Sequence, residues 1–219
     1  MNRTAPLSDL VVGGFVPFTT LDFPGRLAAV VFCQGCPWRC RYCHNPHLQG
    51  FENESLQWTW PLVCEELAAR RGFLEGVVFS GGEPTAQSEL MGAIRDVRDL
   101  GFSVGLHSAG IFPERLALLL PLIDWIGFDV KAPFDARYGA ITGLPNSHAL
   151  ASRSLDLVLA SGLPFELRTT VHPDLLGEDD LTALAGELSA RGAPPTTIQP
   201  FRPDGCRDGA LARPREIST

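Results

Sequence analysis

The feature that most constrains this fold is a helical segment that ends in glycine and leads into a short apolar strand. Glycine is preferred just past a helix, because it adopts a left-handed backbone conformation without strain. Strands that alternate with helices form parallel sheets joined by right-handed crossovers. The pattern occurs four times: 58–71, Gly72 and 76–79; 88–100, Gly101 and 102–106; 150–161, Gly162 and 165–170; and a helix around 181–188, Gly192 and 196–199.

Two further apolar segments, 27–32 and 125–129, bring the pattern to about six strand–helix units. A closed eight-stranded barrel typically needs ~250 residues, and this chain has 219. The sequence therefore predicts an α/β fold with a parallel sheet, a partial and open (β/α)6 barrel of the TIM type. We expect a single domain over residues 1–219, with a core over about 15–202 and an irregular tail over 203–219.

Charge and hydropathy argue against two classes of partner. The net charge of −7 disfavours nucleic acid, because neutralising a phosphate backbone needs a basic face. Residues 1–14 lack the apolar centre of a targeting signal. The longest apolar stretch, 116–128, is interrupted by Pro121 and Asp124 and is too short to cross a bilayer. We therefore expect a cytoplasmic protein with no nucleic-acid partner and no membrane association.

Polar residues follow the predicted strands at the point where each strand ends. They are residues 36–43, 80–83, 107–108, 129–131 and 168–172. In parallel α/β folds the chemistry lies at the carboxyl ends of the strands, which meet at one edge of the sheet. We expect one functional site at this edge, and the convergence of these segments is stronger evidence than any single motif.

Cys36, Cys40 and Cys43 form a C-x3-C-x2-C run. Thiolates are the usual ligands of iron–sulfur clusters, and a cubane with three protein ligands leaves one iron open to an outside ligand. With Cys33 included, the run can be read as a four-cysteine zinc site or as a fully ligated electron-transfer cluster. Structural zinc sites usually separate their two cysteine pairs by roughly a dozen or more residues. The short gap here favours a 4Fe–4S cluster with one open iron.

The other cysteines have plainer interpretations. Cys33 is expected to be a strand-end thiol packed under the loop. Cys64 lies on the same predicted helical face as Trp60 and Leu67, which is typical of a core thiol. Cys206, in the tail, has no predicted role.

The cysteine run, with Tyr42 before its last cysteine, resembles the signature of the radical S-adenosylmethionine (SAM) superfamily. In that superfamily the open iron is chelated by the amino and carboxylate groups of the cofactor's methionine, and reductive cleavage releases a 5′-deoxyadenosyl radical. Residues 22–26, Asp-Phe-Pro-Gly-Arg, and 43–46, Cys-His-Asn-Pro, narrow the resemblance to activases of glycyl radical enzymes. Among these, the chain is most similar to activases of anaerobic ribonucleotide reductases, most densely over residues 17–46.

The resemblance also implies a cofactor site. The segment 80–84, Ser-Gly-Gly-Glu-Pro, matches a family motif that holds the methionine amino group, with Glu83 as an acceptor; alone, it would be an ordinary turn. Asp129 and Lys131 match an Asp-x-Lys pair that reaches the cofactor, and otherwise would be a solvated charge pair. The implied cofactor-binding residues are Tyr42, Gly81, Gly82, Glu83, His107, Ser108, Asp129, Lys131, Arg168 and His172.

Arg168 and His172 follow the fifth predicted strand. An arginine fork fits a carboxylate well, so Arg168 is a candidate second cation at the cofactor. His172 either lines the same pocket or is a loop residue held by Pro173. Both readings of His172 remain open from the sequence.

Residues 107–110 depart from the family pattern. Well-known activases carry Asp-Thr-Asn-Gly here, and that Asp helps to hold a monovalent cation beside the cofactor, whereas this chain has His-Ser-Ala-Gly. An imidazole is a poor ligand for an alkali cation. We therefore predict that His107 replaces the charge of the cation and contacts the cofactor or Asp129 directly.

The resemblance implies an oxidoreductase that removes a hydrogen atom from a glycine of a partner enzyme, most closely an anaerobic ribonucleotide reductase. It also implies a low-potential electron donor such as flavodoxin or ferredoxin. Because the cofactors carry the chemistry, the lack of a nucleophile–base constellation is expected. The sequence leaves open a radical enzyme acting on a small molecule, as in deazapurine synthesis, and a non-enzymatic zinc-binding module. The acidity disfavours a tRNA-modifying enzyme.

Overall fold

A computed structural model describes residues 7–52 and 57–211 of the chain, which form seven strands and six α-helices. The strands are β1 (Val12–Thr19), β2 (Ala28–Cys33), β3 (Gly76–Gly81), β4 (Ser103–Ser108), β5 (Trp125–Asp129), β6 (Phe165–Val171) and β7 (Thr197–Pro200). The helices are α1 (Trp60–Ala68), α2 (Leu90–Asp99), α3 (Pro113–Leu119), α4 (Ala136–Thr142), α5 (Ser147–Ala160) and α6 (Glu178–Ala190).

All seven strands belong to one sheet, and they lie in it in the order in which they occur along the chain. Strands β2 to β7 are parallel, and β1 pairs antiparallel with β2 at one edge. The sheet does not close, so the prediction of a partial (β/α)6 barrel is confirmed. The single-domain organisation over 1–219 stays a prediction.

Helix ends follow the glycine pattern. Gly72, Gly101, Gly162 and Gly192 have φ values of 80°, 91°, 71° and 69°, in the left-handed region. Three elements were not predicted, namely the edge strand β1 and the short helices α3 and α4. Two glycines and a proline interrupt the strand pattern of β1. Helix α3 overlaps the start of the apolar stretch 116–128, which the sequence analysis examined only as a possible membrane span.

Both faces of the sheet are buried. Along β2, Ala29, Val31 and Cys33 face the main core beneath the helices, whereas Ala28 and Val30 face a smaller cluster on the inner face. Burial on both faces explains why the parallel strands read as continuous apolar runs instead of alternating ones. No helix among the described residues is long and apolar enough to cross a membrane.

The Asp-Phe-Pro-Gly-Arg segment folds over the inner face of the sheet. Phe23 is 3% exposed, and its ring stacks on Trp125 with the centroids 5.7 Å apart. The ring also covers Gly76, where an added Cβ would lie 2.8 Å from it. This segment therefore fills the inside of the open barrel beneath the site.

The tail is irregular as far as it is described. Residues 203–211 contain turns and neither a helix nor a strand. The predicted remainder, 212–219, lies outside the described residues. The described part of the tail packs against the loop that follows β2, because Asp208 forms an ion pair with Arg41 at 2.9 Å.

We expect Phe23→Ala to lower the free energy of unfolding by about 3 kcal/mol, because it empties a packed site between the inner strands. Urea denaturation followed by circular dichroism measures this value. Phe73→Ala is the matched control, since Phe73 is 59% exposed. Equal losses in the two variants would show that Phe23 does not support the inner face.

Candidate active site

A cavity of about 340 Å³ lies at the carboxyl ends of the parallel strands. Its wall includes all but one of the residues that the sequence pointed to. Those that line it are Cys36, Cys40, Tyr42, Cys43, Gly81, Gly82, Glu83, His107, Ser108, Asp129, Lys131 and Arg168. The ends of all six parallel strands, β2 to β7, contribute to this wall.

The three cysteines of the run lie on the loop that follows β2. Cys36, Cys40 and Cys43 are partly exposed, whereas Cys33 is fully buried at the end of β2, as predicted. The loop is held by backbone hydrogen bonds in which Gly35 N donates to Leu48 O (2.8 Å) and Arg39 N donates to Thr142 O (2.8 Å). Helix α4, which ends at Thr142, therefore braces the loop from outside.

Burial raises the pKa of the Cys36 thiol to about 12 and that of the Cys40 thiol to about 11. A metal centre binds the thiolates, so it must displace these protons. No three His, Cys, Asp or Glu side chains converge on a point for one metal ion within residues 7–52 and 57–211. Three thiols that share a cavity wall suit a cluster, in which each thiolate would bind a different iron atom.

The glycine turn after β3 packs directly on the cysteine loop. Gly82 N donates to Cys33 O (2.9 Å), and Glu83 N donates to Gly35 O (2.9 Å). A Cβ on Gly82 would collide with the Gly35 carbonyl and lie 2.9 Å from Leu48 O. The sequence interpretation gave this space to the cofactor, whereas in the structure the backbone of the cysteine loop occupies it.

Glu83 is a buried carboxylate with protein donors on both oxygens, and it is 1% exposed. Oε1 accepts from Thr85 Oγ1 (2.6 Å) and from Ser108 Oγ (2.8 Å), and Oε2 accepts from Ala109 N (2.9 Å). Burial raises the pKa of Glu83 against the opposing effect of these hydrogen bonds. Glu83 therefore joins the turn after β3 to the turn after β4, and Ser108 serves this link.

Asp129 holds two cations at the opposite wall. Lys131 Nζ lies 3.0 Å from Oδ2, and Arg168 Nε lies 3.0 Å from Oδ1. Burial alone would raise the pKa of Asp129, but Arg168 and Lys131 outweigh burial and hold it well below its usual range. Two cations with one carboxylate leave a surplus positive charge, which suits a ligand carboxylate.

Tyr42 closes the wall between the cysteines and these cations. It is 4% exposed, and Lys131 Nζ lies 5.8 Å from the centre of its ring. Burial raises the pKa of Tyr42, so its hydroxyl stays protonated. The ring therefore gives the cavity an apolar surface between two polar groups.

His107 is held by hydrogen bonds to two neighbouring residues of the protein. Its Nε2 lies 3.0 Å from the Asp22 carbonyl, which can only accept, and its Nδ1 lies 3.2 Å from Ser80 Oγ. Burial, with the positive charge of Arg168, lowers the pKa of His107 to about 4. The imidazole is therefore neutral in this structure and fixes the inner segment at Asp22; its hydrogen bonds go to Asp22 and Ser80 and not to Asp129. That it replaces the charge of a cation beside the cofactor stays a prediction.

His172 is absent from the cavity wall as far as the chain is described. Its Nε2 lies 3.2 Å from the Leu211 carbonyl, and its ring packs edge-on against Phe201 at 5.0 Å. Strand β6 ends at Val171, so the alternation that turns Arg168 toward the cavity does not extend to His172. The structure therefore supports the interpretation of His172 as a loop residue over its interpretation as a residue of the pocket.

Some residues of the wall were not identified as site residues from the sequence. Asp22 was quoted only as part of a motif, and Thr170 and Gln199 lie on β6 and β7. Thr170 is two residues from Arg168 on the same strand, so strand alternation could have placed it on the same face. No pattern in the sequence indicated Asp22, because it reaches the cavity only when the segment 22–26 folds over the inner face of the sheet.

Comparisons with known proteins agree with this geometry. The model of the radical SAM superfamily matches residues 30–184. A protein of Methanocaldococcus jannaschii, provisionally named a glycyl-radical enzyme activating enzyme, is 30% identical over 206 residues, which cover 90% of this chain and 82% of that protein. A pyruvate formate-lyase-activating enzyme of Streptococcus mutans is 28% identical, covering 78% of this chain and 68% of that enzyme.

Other relatives are longer or differ more. A PqqA peptide cyclase of Gluconobacter oxydans is 32% identical over 78% of this chain, which spans only 49% of the cyclase. Among solved structures, QueE from Escherichia coli superposes with a TM-score of 0.51 at 16% identity, covering 87% of this chain and 93% of QueE. Streptococcus suis SuiB bound to S-adenosylmethionine gives 0.58 at 12% identity, covering 77% of this chain and 39% of SuiB. These two likenesses show the fold alone.

We expect Gly82→Ala to lower the free energy of unfolding by about 2 kcal/mol, because the added methyl forces the turn after β3 away from the cysteine loop. Gly50→Ala is the control on the same loop, where an added Cβ meets no atom closer than 3.9 Å. Thermal unfolding of both variants without metal measures the difference. A Gly82→Ala variant as stable as Gly50→Ala would contradict the close packing.

Proposed function

Because the chain belongs to the radical SAM superfamily, and within it to the glycyl-radical enzyme activating enzymes, we propose that it activates an anaerobic ribonucleotide reductase. The superfamily uses a 4Fe–4S cluster and S-adenosylmethionine. When bound, these groups supply a 5′-deoxyadenosyl radical by one-electron cleavage of a C–S bond, which also gives methionine. The protein is thus an oxidoreductase, and the alternative of a non-enzymatic zinc module is wrong.

The observation that carries the proposal is that three thiols and the cations Lys131 and Arg168 face one cavity. Cys36, Cys40 and Cys43 would hold the cluster, since they alone of the described cysteines line this cavity. Lys131 and Arg168, oriented by Asp129, would bind the carboxylate of S-adenosylmethionine. Tyr42 belongs to the same wall, and Lys131 Nζ lies 5.8 Å from the centre of its ring.

The residues after β3 and β4 would shape the rest of the cofactor site. Glu83 is engaged by protein donors, so we propose that it fixes the turn of Gly81 and Gly82, and that the turn itself meets the methionine amino group. Ser108 supports this turn through its bond to Glu83. His107 would act indirectly, by holding Asp22 at the cavity wall through a hydrogen bond.

The choice of an anaerobic ribonucleotide reductase rests on the Asp-Phe-Pro-Gly-Arg and Cys-His-Asn-Pro segments, which resemble those of its activases. We also propose a low-potential electron donor such as flavodoxin or ferredoxin. A cytoplasmic location agrees with the six free cysteines.

Replacing Cys36, Cys40 or Cys43 with alanine should abolish the cluster, because each removes one of three ligands. Anaerobic reconstitution followed by iron and sulfide analysis and visible absorption measures the loss. Cys33→Ala is the matched control and should keep the cluster, since Cys33 does not line the cavity. A cluster that survives Cys40→Ala but not Cys33→Ala would overturn this ligand set.

The function itself is tested by mixing the reconstituted enzyme, S-adenosylmethionine and dithionite with the anaerobic ribonucleotide reductase of the same genome. We expect a glycyl radical in the paramagnetic resonance spectrum of the reductase, in an amount that tracks the 5′-deoxyadenosine formed. A reductase whose radical-bearing glycine is replaced by alanine is the control.

Two outcomes would contradict the proposal. A glycyl radical in a different partner enzyme would retain the activase and reject the reductase. Cleavage that is accelerated by a small metabolite, which itself becomes modified, with no glycyl signal in any partner, would favour the small-molecule alternative.

A further inference from the structure

A second opening reaches the cysteine loop from outside the barrel. This groove, of about 250 Å³, is lined by Arg39, Arg41, Arg207 and Asp208 together with Cys40 and Cys43. The same two cysteines line the cavity on the inner side. They therefore form a thin wall between the cavity and the groove.

The groove is basic although the chain is acidic. Arg39, Arg41 and Arg207 are all exposed, and Asp208 is the acidic residue among its lining. Asp208 pairs with Arg41, whose side chain is still 44% exposed. In a protein with a net charge of −7, this surplus of arginine marks a local site for an acidic partner.

The tail builds one side of this groove. The ring of Phe201 stacks on His44 of the cysteine loop with the centroids 5.7 Å apart, and Cys206 Sγ lies 3.4 Å from Arg41 O. Gly205 sits against the His44 carbonyl so closely that a Cβ would collide with it. These contacts hold the segment that carries Arg207 beside Cys40 and Cys43.

The reaction proposed above consumes one electron for each S-adenosylmethionine cleaved, and this inference rests on that proposed function. The cavity side of the cysteine wall is needed for the cofactor and the partner glycine. An electron carrier must therefore approach from another side, and the groove leads to two of the three proposed cluster ligands.

We propose that the groove is the docking surface of an acidic, low-potential electron-transfer protein of the flavodoxin or ferredoxin type. Carboxylates of the carrier pair with the exposed arginines. The carrier would pass one electron to the cluster held by Cys36, Cys40 and Cys43, so that the carrier is oxidised by one electron and the cluster is reduced by one. Redox encounters bury little surface and dissociate quickly, so a small charged patch is sufficient. Complementary charge acts on them mainly by raising the rate of association.

The test compares two reductants with the full-length, reconstituted enzyme. A bacterial flavodoxin in its hydroquinone form probes the groove, and titanium(III) citrate is a small reductant that needs no docking surface. Loss of visible cluster absorption after rapid mixing gives the rate of reduction. The variants are Arg207→Glu, the conservative Arg207→Lys, and Arg71→Glu, which makes the same charge change at an exposed residue beyond the amino end of β3.

We expect Arg207→Glu to slow reduction by flavodoxin on the order of tenfold at low salt, because a rim charge governs the association rate. Reduction by titanium(III) citrate should stay unchanged. Arg207→Lys and Arg71→Glu should behave as the native enzyme with both reductants. High salt should narrow the difference, since it screens exposed charges.

Three outcomes would overturn the docking surface. These are equal flavodoxin rates for Arg207→Glu and Arg71→Glu, equal slowing with both reductants, and a full flavodoxin rate with a reduced glycyl radical yield. The second would make Arg207 a support of the loop, and the third would assign the groove to the partner enzyme. Failure of the proposed function is distinct, because it appears as a reduced enzyme that forms no 5′-deoxyadenosine.

Discussion

One buried carboxylate, Glu83, ties together the loops that form the cavity. Its side chain accepts hydrogen bonds from Thr85, Ser108 and Ala109, and its backbone N–H donates to Gly35 at the start of the cysteine loop. A buried carboxylate without such partners would cost several kcal/mol or take up a proton. The requirement to satisfy Glu83 therefore fixes the turns after β3 and β4 relative to the cysteines.

The second carboxylate of the site, Asp129, has the opposite surroundings. Neutral donors surround Glu83, and burial raises its pKa, whereas cations surround Asp129 and its pKa is held low. Glu83 thus serves as an internal brace, and Asp129 presents Lys131 and Arg168 to the cavity. The cationic side of the cavity is therefore the side of Lys131 and Arg168, at the ends of β5 and β6.

The sequence was sufficient for the features that depend on local chemistry. Glycines past the helices predicted the alternation of helices with parallel strands, and the site residues predicted at the strand ends line the cavity with the exception of His172. The hydrogen-bond partners of His107 and His172 could not be predicted, because they lie on distant segments, namely Asp22 on the folded-back segment and Leu211 in the tail. Strand β1 was missed because its glycines and proline conceal a strand whose inner residues nonetheless pack in the core.

Distant segments also explain why only one side of the cysteine loop could be predicted. The loop faces the cavity on its inner side and the groove on its outer side. The inner side is set by β2 to β6, whose ends are fixed by the parallel sheet, and so it was predictable. The outer side is set by the tail, whose position follows from ring packing at His44 and from the pairing of Arg41 with Asp208. Arg207 and Asp208 line the groove but not the cavity, so a substitution at either position changes the charge of the outer side without changing a residue of the cavity wall. The surface that we propose for the electron carrier can therefore differ in charge among chains that keep the same cavity wall.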